Sequence, residues 1–129
     1  VEKLKLNNTL RTPKIEFNPT NGLFEISGVS LIENTLDFYQ PILNWLQSYL
    51  ENPYPTTKFI FKLNYSNTSS YQFIYDMLSL INTEHNKKTI LSVDWYYASD
   101  DIDMREIGED YQDSLEVEFK FIEVDVDSL

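Results

Sequence analysis

Thr57-Lys58-Phe59-Ile60-Phe61-Lys62-Leu63-Asn64-Tyr65-Ser66-Asn67-Thr68-Ser69-Ser70 is the stretch on which the fold turns. Its first nine residues alternate: Phe59, Phe61, Leu63 and Tyr65 point one way, Lys58, Lys62 and Asn64 the other. That is the period of a strand with one buried face. A short polar loop follows. From Ser69 to about Glu84 the spacing becomes helical, with Phe73, Ile74, Met77, Leu78 and Ile81 on one face. Strand, loop and helix in direct succession predict a layered α/β chain.

Toward the N-terminus, Glu2 to Leu6 predicts a short edge strand. Residues 14–27 predict a β-hairpin, because Asn18-Pro19-Thr20-Asn21-Gly22 is a strong turn between two alternating runs. A helix is predicted from Glu33 to Glu51. It has one stripe of Leu36, Tyr39, Leu43, Leu46 and Leu50, and a second of Phe38, Ile42, Trp45 and Tyr49. Pro41 should kink it. Toward the C-terminus, Ile90 to Tyr97 and Glu116 to Val124 predict strands. Asp100 to Leu115 between them predicts a helix that Gly108 weakens.

The predicted order is β-β-β-α-β-α-β-α-β. It implies a mixed sheet of about five to six strands with three main helices, mostly on one face. At 129 residues with no repeat or linker, the chain reads as one domain, residues 1–129. The net charge of −11 argues against nucleic acid and anionic membranes as partners. It suits partners with basic or apolar surfaces. With no cysteine, disulfides, thiolate nucleophiles and zinc–sulfur sites are excluded. No apolar run has the length of a membrane span and no signal-peptide pattern opens the sequence, so a cytoplasmic location is expected.

The polar loop carries the chemistry. Ser69-Ser70-Tyr71-Gln72 fits a Ser-x-x-Gln capping box with Ser69 as the N-cap; with Asn67 as the cap, Thr68 is the first helical residue. In either register the Thr68 hydroxyl lies near free backbone N–H groups and the positive end of the helix dipole. A phosphate there would find donors already aimed at it. Read from these residues alone, the loop is first a helix cap, since Ser, Thr and Asn collect at helix starts.

The loop and the segments around it resemble the SiaC family of bacterial regulatory phosphoproteins. The resemblance is carried by Arg11-Thr12-Pro13-Lys14-Ile15, Glu33-Asn34-Thr35-Leu36-Asp37-Phe38-Tyr39-Gln40-Pro41, Leu46-Gln47-Ser48-Tyr49-Leu50, Phe61 to Ser70, Trp95-Tyr96-Tyr97, Asp100 to Met104 and Gly108-Glu109-Asp110. It implies a STAS-like domain, related to anti-sigma factor antagonists, with no cofactor and no enzymatic activity of its own. It implies reversible phosphorylation of Thr68; Ser69 and Ser70 read first as capping and loop residues and only second as acceptors. A serine/threonine kinase of histidine-kinase-like fold would add the phosphate and a PP2C-type phosphatase would remove it. The implied target is a diguanylate cyclase, and with it cyclic di-GMP and biofilm control. Ser66 departs from the bulkier residue expected there, which puts the packing of the loop in question.

Other candidates are weighed against plainer roles. The carboxylates Asp100, Asp101, Asp103, Glu106, Glu109, Asp110 and Asp113 could serve a small metal-binding domain or enzyme, but they lack the spacing of an EF-hand. A solvated or partner-binding face fits them as well. Trp45, Tyr49 and Tyr96 are candidates for a partner surface together with Asp100, Asp101, Asp103, Glu109 and Asp110. His85, the one histidine, reads as a surface or capping residue.

Overall fold

The computed structural model describes residues 1–84 and 88–129. His85 and most of the polar connection predicted around it therefore lie outside the described residues. Six strands form one sheet in chain order: β1 (Leu4–Leu6), β2 (Lys14–Asn18), β3 (Leu23–Ser30), β4 (Thr56–Ser66), β5 (Ile90–Ala98) and β6 (Glu118–Val124). β1, β2 and β3 run antiparallel, and β3 to β6 run parallel. The parallel strands are joined by α1 (Thr35–Tyr49), α2 (Thr68–Glu84) and α3 (Ile102–Leu115). Each connection steps to the next strand in the same direction. Right-handed crossovers then place all three helices on one face. Among the described residues, no helix is long and apolar enough to cross a membrane.

The hairpin forms where Asn-Gly allows it. Gly22 has φ of +71°, and a Cβ there would lie 2.0 Å from the Thr56 carbonyl oxygen. The covered face of the sheet is apolar, with Ile15, Phe17, Phe24, Ile26, Phe59, Phe61, Val93 and Trp95 all buried. Phe17 and Phe24 stack at 4.8 Å across the hairpin. The opposite face is laced with ion pairs: Lys62 with Glu25 at 3.5 Å, Lys58 with Asp94 at 3.7 Å, and Lys3 with Glu16 at 3.0 Å. Lys3 and Lys14 hold the Glu16 carboxyl below its usual range.

Three expectations change. α1 is shorter than predicted at both ends: Asn34 caps its start by accepting from Asp37 N at 3.3 Å, and Leu50 is the cap at its end. The helix continues through Pro41 as one element. Its buried line is Tyr39, Ile42, Leu46 and Tyr49, drawn from both predicted stripes, while Leu36 is exposed. The reason is geometric: a helix laid on a sheet buries the line between two adjacent stripes.

The second change concerns β4. Leu63 pairs with Gly28, but Tyr65 pairs with Val29 and Ser66 with Ser30. Asn64 is the extra residue of a β-bulge, which reverses the alternation beyond it. Tyr65, expected in the core, is 55% exposed, and Ser66 is buried in its place. The third concerns Gly108. It is a close-packing position as well as a weak helix former: a Cβ there would come within 2.7 Å of the Trp95 ring and 2.8 Å of Phe121.

Candidate functional site

β3, β4 and β5 all end at one edge of the sheet, and all three helices begin there. Their N-caps are Asn34, Asn67 and Asp101, with Asp101 accepting from Met104 N at 3.0 Å. This carboxyl edge is where open α/β sheets place their working residues.

Asn67 is the cap of α2. Its Oδ1 accepts from Ser70 N at 3.0 Å, and its carbonyl accepts from Tyr71 N at 3.1 Å. That decides the register left open by the sequence: Thr68 is the first helical residue and Ser69 the second. The Ser69–Gln72 capping box is not formed. Gln72 Nε2 instead donates to Asp76 Oδ1 at 3.0 Å, one turn further along. Asn67 and Ser69 are both good cap formers, and the bulge at Asn64 turns the chain so that Asn67 reaches the β3 end.

The loop is tightly tied. Asn67 N donates to the Ser30 carbonyl at 3.0 Å, and Asn67 Nδ2 donates to the Ile32 carbonyl at 3.0 Å. Behind it, three buried hydroxyls join β3, α1 and α2. Ser30 Oγ lies 2.7 Å from Ser70 Oγ and 2.8 Å from the Tyr39 hydroxyl. Burial raises the Tyr39 phenol. Ser70 is fully buried in this cluster, which corrects its place among the acceptors: a kinase cannot reach it in the fold. Thr68 and Ser69 are exposed, and their N–H groups are those a helix leaves without internal partners.

Across from Thr68 stands the start of α3. Thr68, Tyr65, Asn67, Tyr71, Asp101, Asp103, Met104 and Ile107 line one cleft of about 380 Å³. Burial pushes the Tyr71 phenol up to about 12, with Asp101, Tyr65 and Asp103 adding to the shift. Burial also raises Tyr111, whose hydroxyl donates to the Tyr71 carbonyl at 2.6 Å. On its other side Thr68 borders a groove of about 330 Å³ with Tyr71, Gln72, Tyr75 and Tyr111.

The remaining candidates do not gather into one surface. Tyr49 is 1% exposed. Its hydroxyl contacts Thr57 Oγ1 at 2.8 Å and accepts from Tyr54 N at 3.1 Å, so it is a core residue and is withdrawn from the partner surface. Trp45 is half-buried between Phe17, Phe24 and Tyr49, and its Nε1 donates to the Glu2 carbonyl at 2.9 Å. Both belong to the face of α1 that lies on the hairpin. Tyr96 lies on the open sheet face under Lys62, whose Nζ is 5.0 Å from the ring centroid. Asp100 and Asp110 are exposed, and Glu109 pairs with Arg105 at 3.8 Å. Among the described residues, no three carboxylates or histidines converge as metal ligands. The sequence did not single out Tyr65 and Tyr71 for this edge; Tyr65 reaches it through the register shift against β3, which the alternation of β4 does not show.

The chain is thus a layered α/β domain with an exposed hydroxyl, Thr68, at a capped helix start on the carboxyl edge. The sequence model of the SiaC family regulatory phosphoproteins matches residues 6–124, and this chain belongs to that family. An uncharacterized protein of Pseudomonas aeruginosa strain UCBPP-PA14 is 24% identical over 116 residues, covering 90% of this chain and 92% of the relative. The fold is similar to that of apo-SiaC from Pseudomonas aeruginosa, with a TM-score of 0.84 at 24% identity over 95% of this chain and 99% of the other. It is also similar to a chain in the crystal structure of the diguanylate cyclase SiaD with its activator SiaC. The TM-score there is 0.85 at 23% identity, over 94% and 99%.

Proposed function

We propose that this chain is a non-enzymatic switch protein whose binding to a target protein is set by phosphorylation of Thr68. One observation carries the reading. Of the hydroxyls around the loop, Ser66 and Ser70 are buried and Ser69 Oγ donates to Asn67 Oδ1, while Thr68 is exposed at the first position of the capped helix and lines the cleft toward α3. A phosphate there would meet the free N–H groups of the first turn and would add about −1.5 to −2 charges at one edge of the fold.

A serine/threonine kinase of histidine-kinase-like fold transfers the γ-phosphoryl group of ATP to Thr68 Oγ1 and releases ADP and a proton. A PP2C-type phosphatase hydrolyses the ester and releases inorganic phosphate. The target is a diguanylate cyclase, as the partner of the solved relative suggests. The unphosphorylated form binds and activates it, raising cyclic di-GMP and favouring biofilm, in the cytoplasm.

The experiment is phosphosite mapping of the protein purified from its own host, with and without phosphatase treatment. A phosphate on Thr68 that disappears on treatment supports the reading. Its absence under every growth condition, in cells where the protein is abundant, sinks it.

A further inference from the structure

At the carboxyl edge two observations join Thr68 to α3. The first is the shared cleft, with Thr68 on one wall and Asp101 and Asp103 on the other. The second is the field in that cleft. Tyr71 stands three residues beyond Thr68 on the same helix face. Its phenolate is disfavoured first by burial and then by Asp101, Tyr65 and Asp103. A negative charge on this wall already meets those two carboxylates.

We infer that Asp101 and Asp103 read the phosphorylation state, repelling a phosphate on Thr68 and so loosening the first turn of α3. This rests on Thr68 being the modified residue. Asp101 is also the α3 N-cap, through its bond to Met104 N. Repulsion therefore acts on the group that holds the turn closed. The turn carries Ile102, which is 58% exposed, and the cleft carries Tyr65, which is 55% exposed. Loosening the turn alters an apolar surface beside the phosphate as well as its charge. The charged and titratable groups around Thr68 are Asp101, the α3 cap, with Asp103 and Tyr111 from α3, Tyr65 from β4, and Tyr71 and Tyr75 from α2.

The test installs phosphothreonine at position 68 by synthesis, so that no kinase is needed. Two readouts are taken in the parent chain, in an Asp101→Asn/Asp103→Asn variant, and in Glu106→Gln as a control outside the cleft. Asparagine caps helices as well as aspartate, so the variant removes charge and keeps the cap. The phosphorus resonance should titrate about half a unit higher in the parent than in the double variant at low salt, and equally in parent and Glu106→Gln. Amide exchange over residues 100–107 should quicken about threefold or more on phosphorylation in the parent, and should not change in the double variant. Equal titration in all three chains overturns the inference, and so does unchanged exchange in the parent. Both readouts use only the installed phosphate. Failure here leaves phosphorylation-controlled binding standing, and indifferent binding would leave this coupling standing.

Discussion

Asn67 shows how much of this protein rests on single side chains. It caps α2 with one atom, grips the Ile32 carbonyl with another, and holds the Ser30 carbonyl through its backbone. Thr68 beside it is exposed at the first position of the helix. Asn67→Ala should therefore lower stability by about 1–2 kcal/mol in a urea titration, while Thr68→Ala stays within about 0.5 kcal/mol of the parent. Comparable losses from both would mean that Thr68 has a structural role. Tyr71 gives a second expectation. Its folded-state phenol lies near 12, above the ordinary value of 10. The proton is kept longer in the fold than in the unfolded chain, so this contribution is complete below pH 10 and is lost as pH rises toward 12. Unfolding followed from pH 9 to 12 should show stability falling through that window, and falling less steeply in Tyr71→Phe. An identical slope would remove Tyr71 as a cause.

At the scale of elements, the helix-to-sheet contacts decide where the edge residues sit. Gly108 lets α3 approach Trp95 and Phe121, and Trp95 Nε1 donates to the Met104 carbonyl at 2.9 Å. Gly108→Ala should gain helix propensity yet lose about 1–3 kcal/mol through overpacking, measurable by thermal unfolding. A stabilised variant would show that the sheet yields. Much of this level was legible in the sequence. The hairpin follows from Asn21-Gly22, β4 from its alternation, and α2 from its apolar spacing. Three features were not. The bulge at Asn64 needs the register of β3. The cap register needs to know whether Asn67 or Ser69 reaches Ser30. The buried line of α1 needs the hairpin that lies beneath it. Each is set by tertiary contact, and neighbouring residues in the chain fit either outcome.

At the scale of the whole molecule, sheet order makes the site. β4 and β5 are adjacent and parallel, so the starts of α2 and α3 stand side by side and Thr68 faces Asp101 and Asp103, more than 30 residues away in the chain. Thr68 and the acidic run were each visible in the sequence as separate features; their meeting was not, because it depends on strand order. The same arrangement keeps the site away from the ion-paired open face, where Lys62 and Glu25 pair. Lys62→Ala should therefore leave target binding unchanged. A loss of binding on that substitution would move the interface to the other side of the sheet. The most direct test is calorimetric titration of a cognate diguanylate cyclase with the unmodified chain and with the chain carrying phosphothreonine at position 68. The phosphate should weaken binding by about tenfold or more, equivalent to about 1.4 kcal/mol. Equal affinity of the two forms would contradict it.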